Sequence, residues 1–222
     1  MDVKPVGNIG FKGIPLSKVK IITPNGQTAK YTVYKALHGD ESFLEEISLN
    51  TNVKNRVKGL TDIEYTIWDS IMGEGLTQLL GSNKFTLLLA DKNKCACGFL
   101  NYKQMPDKFS VEYVSTWPNK EGERGLLAGK TLFMELFNIF KQDTERKSII
   151  LEALKCAPFS PISKYMELGF RSFGGQNFQE YMRISKNGVL QSLDKYKNMI
   201  LRKEISNPVE VDFNNTLHIV TG

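Results

Sequence analysis

The residues able to do chemistry concentrate between Phe109 and Phe170. FSVEYVSTWP alternates like a strand, NKEGERGLLAGK is a turn rich in glycine and charge, and TLFMELFNIFKQ is an amphipathic helix with Leu132, Leu136 and Phe140 on one stripe. A strand that enters a helix through such a turn aims several backbone N–H groups at one point, on the positive end of the helix dipole. That arrangement holds phosphate, so the chain is expected to bind a phosphorylated cofactor. Next come SIILEAL, whose near-continuous apolar run reads as a strand buried on both faces, and SPISKYMELGF, read as a helix over 160–168 capped by Gly169.

Two phosphate devices compete for the turn. Gly129-Lys130-Thr131 completes the end of G-x-x-x-x-G-K-[ST], the P-loop pattern. Its opening glycine falls on Arg124, however, and the five residues before it, Asn119 to Glu123, are polar where an apolar strand is needed. The second device is carried by Arg124-Gly125-Leu126-Leu127-Ala128-Gly129. This segment resembles the [QR]-x-x-G-x-[GA] loop of the GCN5-related N-acetyltransferase (GNAT) family, matching at Arg124 and Gly129 with Leu127 where the first glycine is expected. Downstream, Tyr165-Met166-Glu167-Leu168-Gly169-Phe170 is similar to the family's Y-x-x-x-G-F segment at every defined position. The two motifs come in the right order, and the resemblance covers residues 31–184. Leu127 implies either a different loop path or a tight turn taken over by Gly125.

The resemblance implies an α/β fold with a mixed, mostly antiparallel central sheet flanked by helices in a single domain. It implies acetyl-CoA as co-substrate and acetyl transfer to a primary amine by direct attack. The strand before the loop would splay from its neighbour, and Val114, Ser115, Thr116 and Trp117 would hold the pantetheine arm and acetyl carbonyl. The loop Gly125, Leu126, Leu127, Ala128, Gly129 and Lys130 would bind the pyrophosphate through its amides. Arg124 and Lys130 would add charge, and Ser160 would complete the cofactor set. Tyr165 falls at the family's general-acid position. Glu112 is the base candidate: strand alternation puts it on the face of Val114 and Thr116, and a half-buried cleft would raise its pKa. The acceptor is open: a small molecule, a peptide N-terminus or a lysine. Glu45, Glu46, Asp62, Glu64, Asp69 and Glu74 fit either attraction of a cationic amine or ordinary solvated helix faces. A GNAT-like module that binds acyl-CoA without turnover is the alternative function, ahead of a degenerate P-loop protein.

Other elements must position these residues. Two apolar runs, 18–23 and 28–37, flank Pro24-Asn25-Gly26 and predict a hairpin. Helices are expected over 40–49 and 61–80. In the second, Ile63, Ile67, Trp68 and Ile71 recur at helical spacing, and Thr61 with Glu64 forms a capping box. Strands are expected over 85–90, 97–102 and 109–117, with one more within 171–184. An amphipathic helix is expected over 189–205 and a strand-like tail over 208–222. The expected division is an N-terminal extension with a hairpin strand (1–30), the GNAT-like domain (31–184) and a C-terminal helix and tail (185–222).

Composition bounds the rest. The 222 residues carry 29 Lys and Arg against 24 Asp and Glu, a net charge of +5, which favours anionic ligands without implying nucleic acid. Three cysteines, Cys95, Cys97 and Cys156, and two histidines offer little to a metal, so none is expected. Cys156 reads as a core or loop residue. An odd cysteine count without an export signal points to the cytoplasm, and no apolar run approaches the ~18 residues of a membrane span. A homodimer is open, with the residues beyond Ile184 available for it.

Overall fold

The computed structural model describes residues 10–77, 83–119, 125–155, 161–211 and 217–220. They form β1 (Ile14–Ile22), β2 (Thr28–Lys35), α1 (Glu41–Leu49), α2 (Thr51–Arg56), α3 (Asp62–Thr77), β3 (Lys84–Asp91), β4 (Ala96–Gln104), β5 (Lys108–Thr116), α4 (Ala128–Gln142), β6 (Ser148–Leu154), α5 (Pro161–Glu167), β7 (Arg171–Gln176), β8 (Gln179–Ser185), α6 (Lys186–Tyr196) and β9 (Ile200–Glu204). One mixed sheet runs β7-β8-β6-β5-β4-β3-β2-β1-β9. Every pairing is antiparallel except β5 with β6, the two strands joined through α4. This is the expected α/β architecture.

Alternation along the strands builds two cores, one on each face. Leu132, Phe133, Leu136, Phe137 and Phe140 of α4 pack on one face with Val33, Leu89, Leu100, Phe109 and Ile149. On the other, Phe43, Leu44 and Ile47 of α1 and Trp68, Met72 and Leu76 of α3 cover Tyr34, Leu88, Phe99 and Trp117. Gly75 of α3 lets that helix lie on the sheet, since a Cβ there would stand 2.5 Å from the Phe99 ring.

The hairpin forms as the turn chemistry requires: Gly26 has φ +81° and its N–H donates to Thr23 O at 2.9 Å. The capping box also forms. The Thr61 N–H donates to Glu64 Oε2 at 2.7 Å, and the Glu64 N–H to Thr61 Oγ1 at 3.3 Å. Its helix is rotated from the expected stripe, however. Glu64, Trp68, Met72 and Leu76 are buried and Ile63 is 67% exposed, because the larger Trp68 and Met72 fill the space over Phe99.

Other expectations are corrected. β6 is not buried on both faces: Ile149, Leu151 and Ala153 point into the α4 core while Glu152 is exposed. The segment 171–184 holds two strands, closed by a turn at 177–178, rather than one. The helix expected over 189–205 stops at Tyr196. The chain then turns, with the Met199 N–H donating to Tyr196 O at 2.9 Å, and enters β9 alongside β1. In place of a tail strand, the described residues after Ile205 show only a bridge between Cys95 and His218. The six-residue α2, capped by Asn50, was not foreseen.

A buried ion pair fastens this added edge. Glu135 of α4 is 1% exposed; its Oε2 accepts from Arg202 Nε at 2.8 Å and from Ser17 Oγ at 2.7 Å, and its Oε1 from Arg202 Nη2 at 2.9 Å. Removing one partner strands a buried charge. Arg202→Leu is expected to lower stability by about 3–5 kcal/mol in urea unfolding. A loss below about 1 kcal/mol would mean that Glu135 finds water or another partner.

Candidate active site

The ladder between β5 and β6 is short. It pairs Lys108 with Ser148, Phe109 with Ile149, Ser110 with Ile150 and Val111 with Leu151, and then stops. At that point β5 carries a bulge: Val111 lies opposite Tyr102 and Tyr113 opposite Asn101, so Glu112 is an extra residue. A bulge bends its strand and strengthens its local twist. Beyond it, β5 pairs only with β4, and residues 152–154 of β6 pair only with β8. Two parallel neighbours thus part company halfway along, opening a gap with bare backbone on its β5 wall.

The hydrogen-bond phase shows which groups line the gap. The Trp117 N–H donates to Cys97 O at 3.0 Å. In an antiparallel pair every second residue turns both backbone groups to its partner, so Ser115 and Trp117 face β4, and Val114 and Thr116 present theirs to the gap. Of the four residues expected there, the geometry assigns the gap to Val114 and Thr116. Trp117 is committed to the core, its indole Nε1 donating to Ala96 O at 2.8 Å. Ser115 is 7% exposed, and its hydroxyl has no partner among the described residues.

The N-terminus of α4 follows the C-terminal end of β5. Leu127 is its N-cap, held left-handed at φ 53°, ψ 25°, and supplies no side-chain cap. That conformation costs a non-glycine residue roughly 1–2 kcal/mol, which explains the glycine expected here; packing of the half-buried Leu127 side chain against the α4 core opposes the cost. The loop keeps its tight path without Gly125 taking over. Gly125 O accepts from the Ala128 N–H at 3.2 Å, and Leu127 O from the Thr131 N–H at 2.8 Å. The N–H groups of Gly129 and Lys130 lie in the first turn, where no intrahelical acceptor exists. A Cβ on Gly129 would meet nothing within 4 Å, so this surface is open. From β2, the Tyr31 hydroxyl donates to Leu126 O at 3.2 Å and braces the loop. These groups fit a pyrophosphate. Arg124, Ser160 and Cys156 lie outside the described residues.

The Lys130 side chain does not serve the loop as expected. Its Nζ lies 2.7 Å from Glu167 Oε2 of α5 and 5.2 Å from the centre of the Tyr196 ring. It clamps α4 to α5, leaving only its amide for an anion.

Tyr165 projects from α5 into the α4 core, its ring 5.6 Å from Phe133 and 6.1 Å from Phe170. Burial pushes its phenol up to about 12, so it stays neutral and able to donate. Gly169, at φ +94°, ends the helix as expected and turns Phe170 into the core.

Glu112 is corrected in two respects. The bulge leaves it as the unpaired residue of β5, where strand alternation no longer fixes its face, and it is exposed rather than half-buried. Its charge acts instead on Tyr113, which lies on the α3 face. The Tyr113 hydroxyl donates to Glu74 Oε2 at 2.8 Å, and this bond, with burial and the two carboxylates, raises the phenol to about 12. Glu74, read from sequence only as one acid among several, is thus brought beside β5. No sequence signal marks it, because the contact depends on the bulge turning Tyr113 toward α3.

No family model matches the chain, and no curated protein matches its sequence. Solved structures do resemble it. An uncharacterized protein from Bacillus halodurans overlays with a TM-score of 0.54 at 12% identity, over 82% of this chain and 96% of its own. The apo form of a nucleotide-linked sugar GNAT overlays with a TM-score of 0.50 at 11% identity, over 75% of this chain and 94% of its own. The fold is that of the GNAT acetyltransferases.

Within the GNAT fold, the parting strands and the uncapped helix end form one continuous feature of this chain. It makes a two-sided prediction at Gly129. A carboxylate in the first turn favours the helix dipole by about 0.3–1 kcal/mol but repels a pyrophosphate. Gly129→Asp is expected to raise the thermal midpoint slightly and to weaken acetyl-CoA binding by about tenfold or more in calorimetry. Unchanged affinity would place the anion elsewhere.

Proposed function

We propose that this chain is an acetyl-CoA-dependent N-acetyltransferase acting on a primary amine. The observation that carries the reading is the coincidence, at one end of β5, of the abandoned β6 ladder and the first-turn amides of α4, which have no intrahelical acceptor. A thioester ligand has an anionic pyrophosphate and an extended amide-bearing arm. The first suits Gly129 and Lys130, and the second suits the strand-like backbone of Val114 and Thr116.

In the reaction the neutral amine nitrogen attacks the acetyl carbonyl carbon. A C–N bond forms, the C–S bond breaks, the nitrogen loses a proton and the sulphur gains one. Tyr165 is the donor to the sulphur, since its neutral phenol supplies a hydrogen bond as thiolate charge develops. Glu74, which binds Tyr113 on the α3 face, and the exposed Glu112 of the bulge favour a cationic acceptor, and Glu112 takes the proton directly or through water. Exposure of Glu112 favours one second reading, a module that binds acyl-CoA without turnover.

Calorimetry with acetyl-CoA, using ATP-Mg as the comparison ligand, and a CoA-release screen over small amines and lysine peptides separate these readings. Acetyl-CoA binding with CoA release supports the enzyme. Binding without release across the screen supports the module, and binding of ATP alone removes both.

Tyr165→Phe is expected to slow turnover by about 10²-fold while leaving acetyl-CoA affinity nearly unchanged. Unchanged turnover removes the phenol from the chemistry. In the wild type, the raised pKa keeps the acid form present below about 12 and lost as pH rises through it. Any alkaline loss of turnover that Tyr165→Phe abolishes should therefore lie near 12 rather than the ordinary 10.0. A midpoint at 10 would place the phenol in water.

A further inference from the structure

The sheet extends past β3 through β2, β1 and β9, and one face of this extension is rich in unpaired lysine. Alternation along β1 sends Ser17, Val19 and Ile21 into the α4 side and leaves Lys18 and Lys20 exposed on the other. Register sets Lys20 opposite Lys30 of β2 and Lys18 opposite Lys203 of β9. Directly opposed like charges destabilise a sheet. Among the described residues, no carboxylate pairs with any of these four lysines. A groove of ≈ 710 Å³ lies over them, walled by the turn after β3 and by the segment 205–211, with the apolar side chains of Leu201 and Val209 exposed at 40% and 74%.

We propose that this groove docks an extended acidic segment of a partner protein, in which every second side chain is acidic. Lys18 and Lys20 stand ~6.8 Å apart along their strand, and every second residue of an extended peptide repeats at the same distance. A peptide lying along β1 therefore meets a lysine at each acidic position, and Leu201, opposite Lys20, and Val209 add apolar surface beside it. Single-stranded nucleic acid needs aromatic faces to stack on, and the two tyrosines lining the groove, Tyr31 and Tyr34, are each only 7% exposed. The inference stands apart from the acetyl-transfer reading, because none of the four lysines belongs to the β5 gap or the α4 N-terminus.

The test is fluorescence anisotropy of the full chain with a labelled short peptide of alternating Glu and Val. A Gln–Val peptide, an oligothymidylate and phosphatidylserine vesicles serve as competing probes. The Glu–Val peptide is expected to bind best, to weaken as salt rises, and to lose about tenfold or more in affinity in Lys18→Glu/Lys20→Glu. Lys18→Arg/Lys20→Arg should retain binding. Lys20→Glu faces Lys30 and should also raise the unfolding midpoint, which shows that the fold survives. No binding, equal binding of the Gln–Val peptide, tighter binding of the oligonucleotide or vesicles, or indifference to charge reversal would each overturn the proposal.

Discussion

The early end of the β5–β6 ladder is the constraint on which the candidate site depends. Four paired residues hold these strands parallel, and the bulge at Glu112 then turns β5 away. A parallel ladder carried to Thr116 would satisfy Val114 and Thr116 from β6 and leave no gap. Unpaired backbone inside a sheet costs free energy unless water or a ligand pairs it. The gap therefore behaves as a place prepared for an extended polar ligand. The same bulge moves Tyr113 to the α3 face, where it meets Glu74.

The α4 helix converts that gap into a site with direction. Its aromatic stripe is buried between sheet and α5, so its N-terminus cannot drift from the end of β5. Leu127 holds a conformation that glycine adopts more easily, and packing of its half-buried side chain on the core helps retain it. Two clamps outside the gap keep the frame rigid: Lys130 with Glu167 joins α4 to α5, and Glu135 with Arg202 joins α4 to the β9 edge. The ammonium of Lys130 is engaged in the first clamp, so from this residue the backbone amide is the group that faces the loop.

Much of this was legible in the residues. Pro24-Asn25-Gly26 specified its hairpin, Thr61 and Glu64 their capping box, and Gly169 its helix end, because each acts within a few positions of chain. The α4 stripe and the two motifs around it pointed to the fold. The bulge was not legible: the alternation rule extrapolates straight through Glu112, and only the strand partner reveals the extra residue. β9 was concealed because the helical period of α6 runs on by chance into Ile200, and the pairing with β1 that overrides it is distant in sequence. Glu74 stayed one acid among several until the folded contact with Tyr113 singled it out.

The most direct measurement is a ¹H–¹⁵N spectrum of the labelled protein titrated with acetyl-CoA. The account predicts that the amides of Val114, Thr116, Gly129 and Lys130 move together and saturate with one affinity. If those amides stay still while resonances elsewhere shift, for instance those of Lys18, Lys20 and Lys203, then the gap in the sheet is not where the ligand binds, and the central claim is wrong.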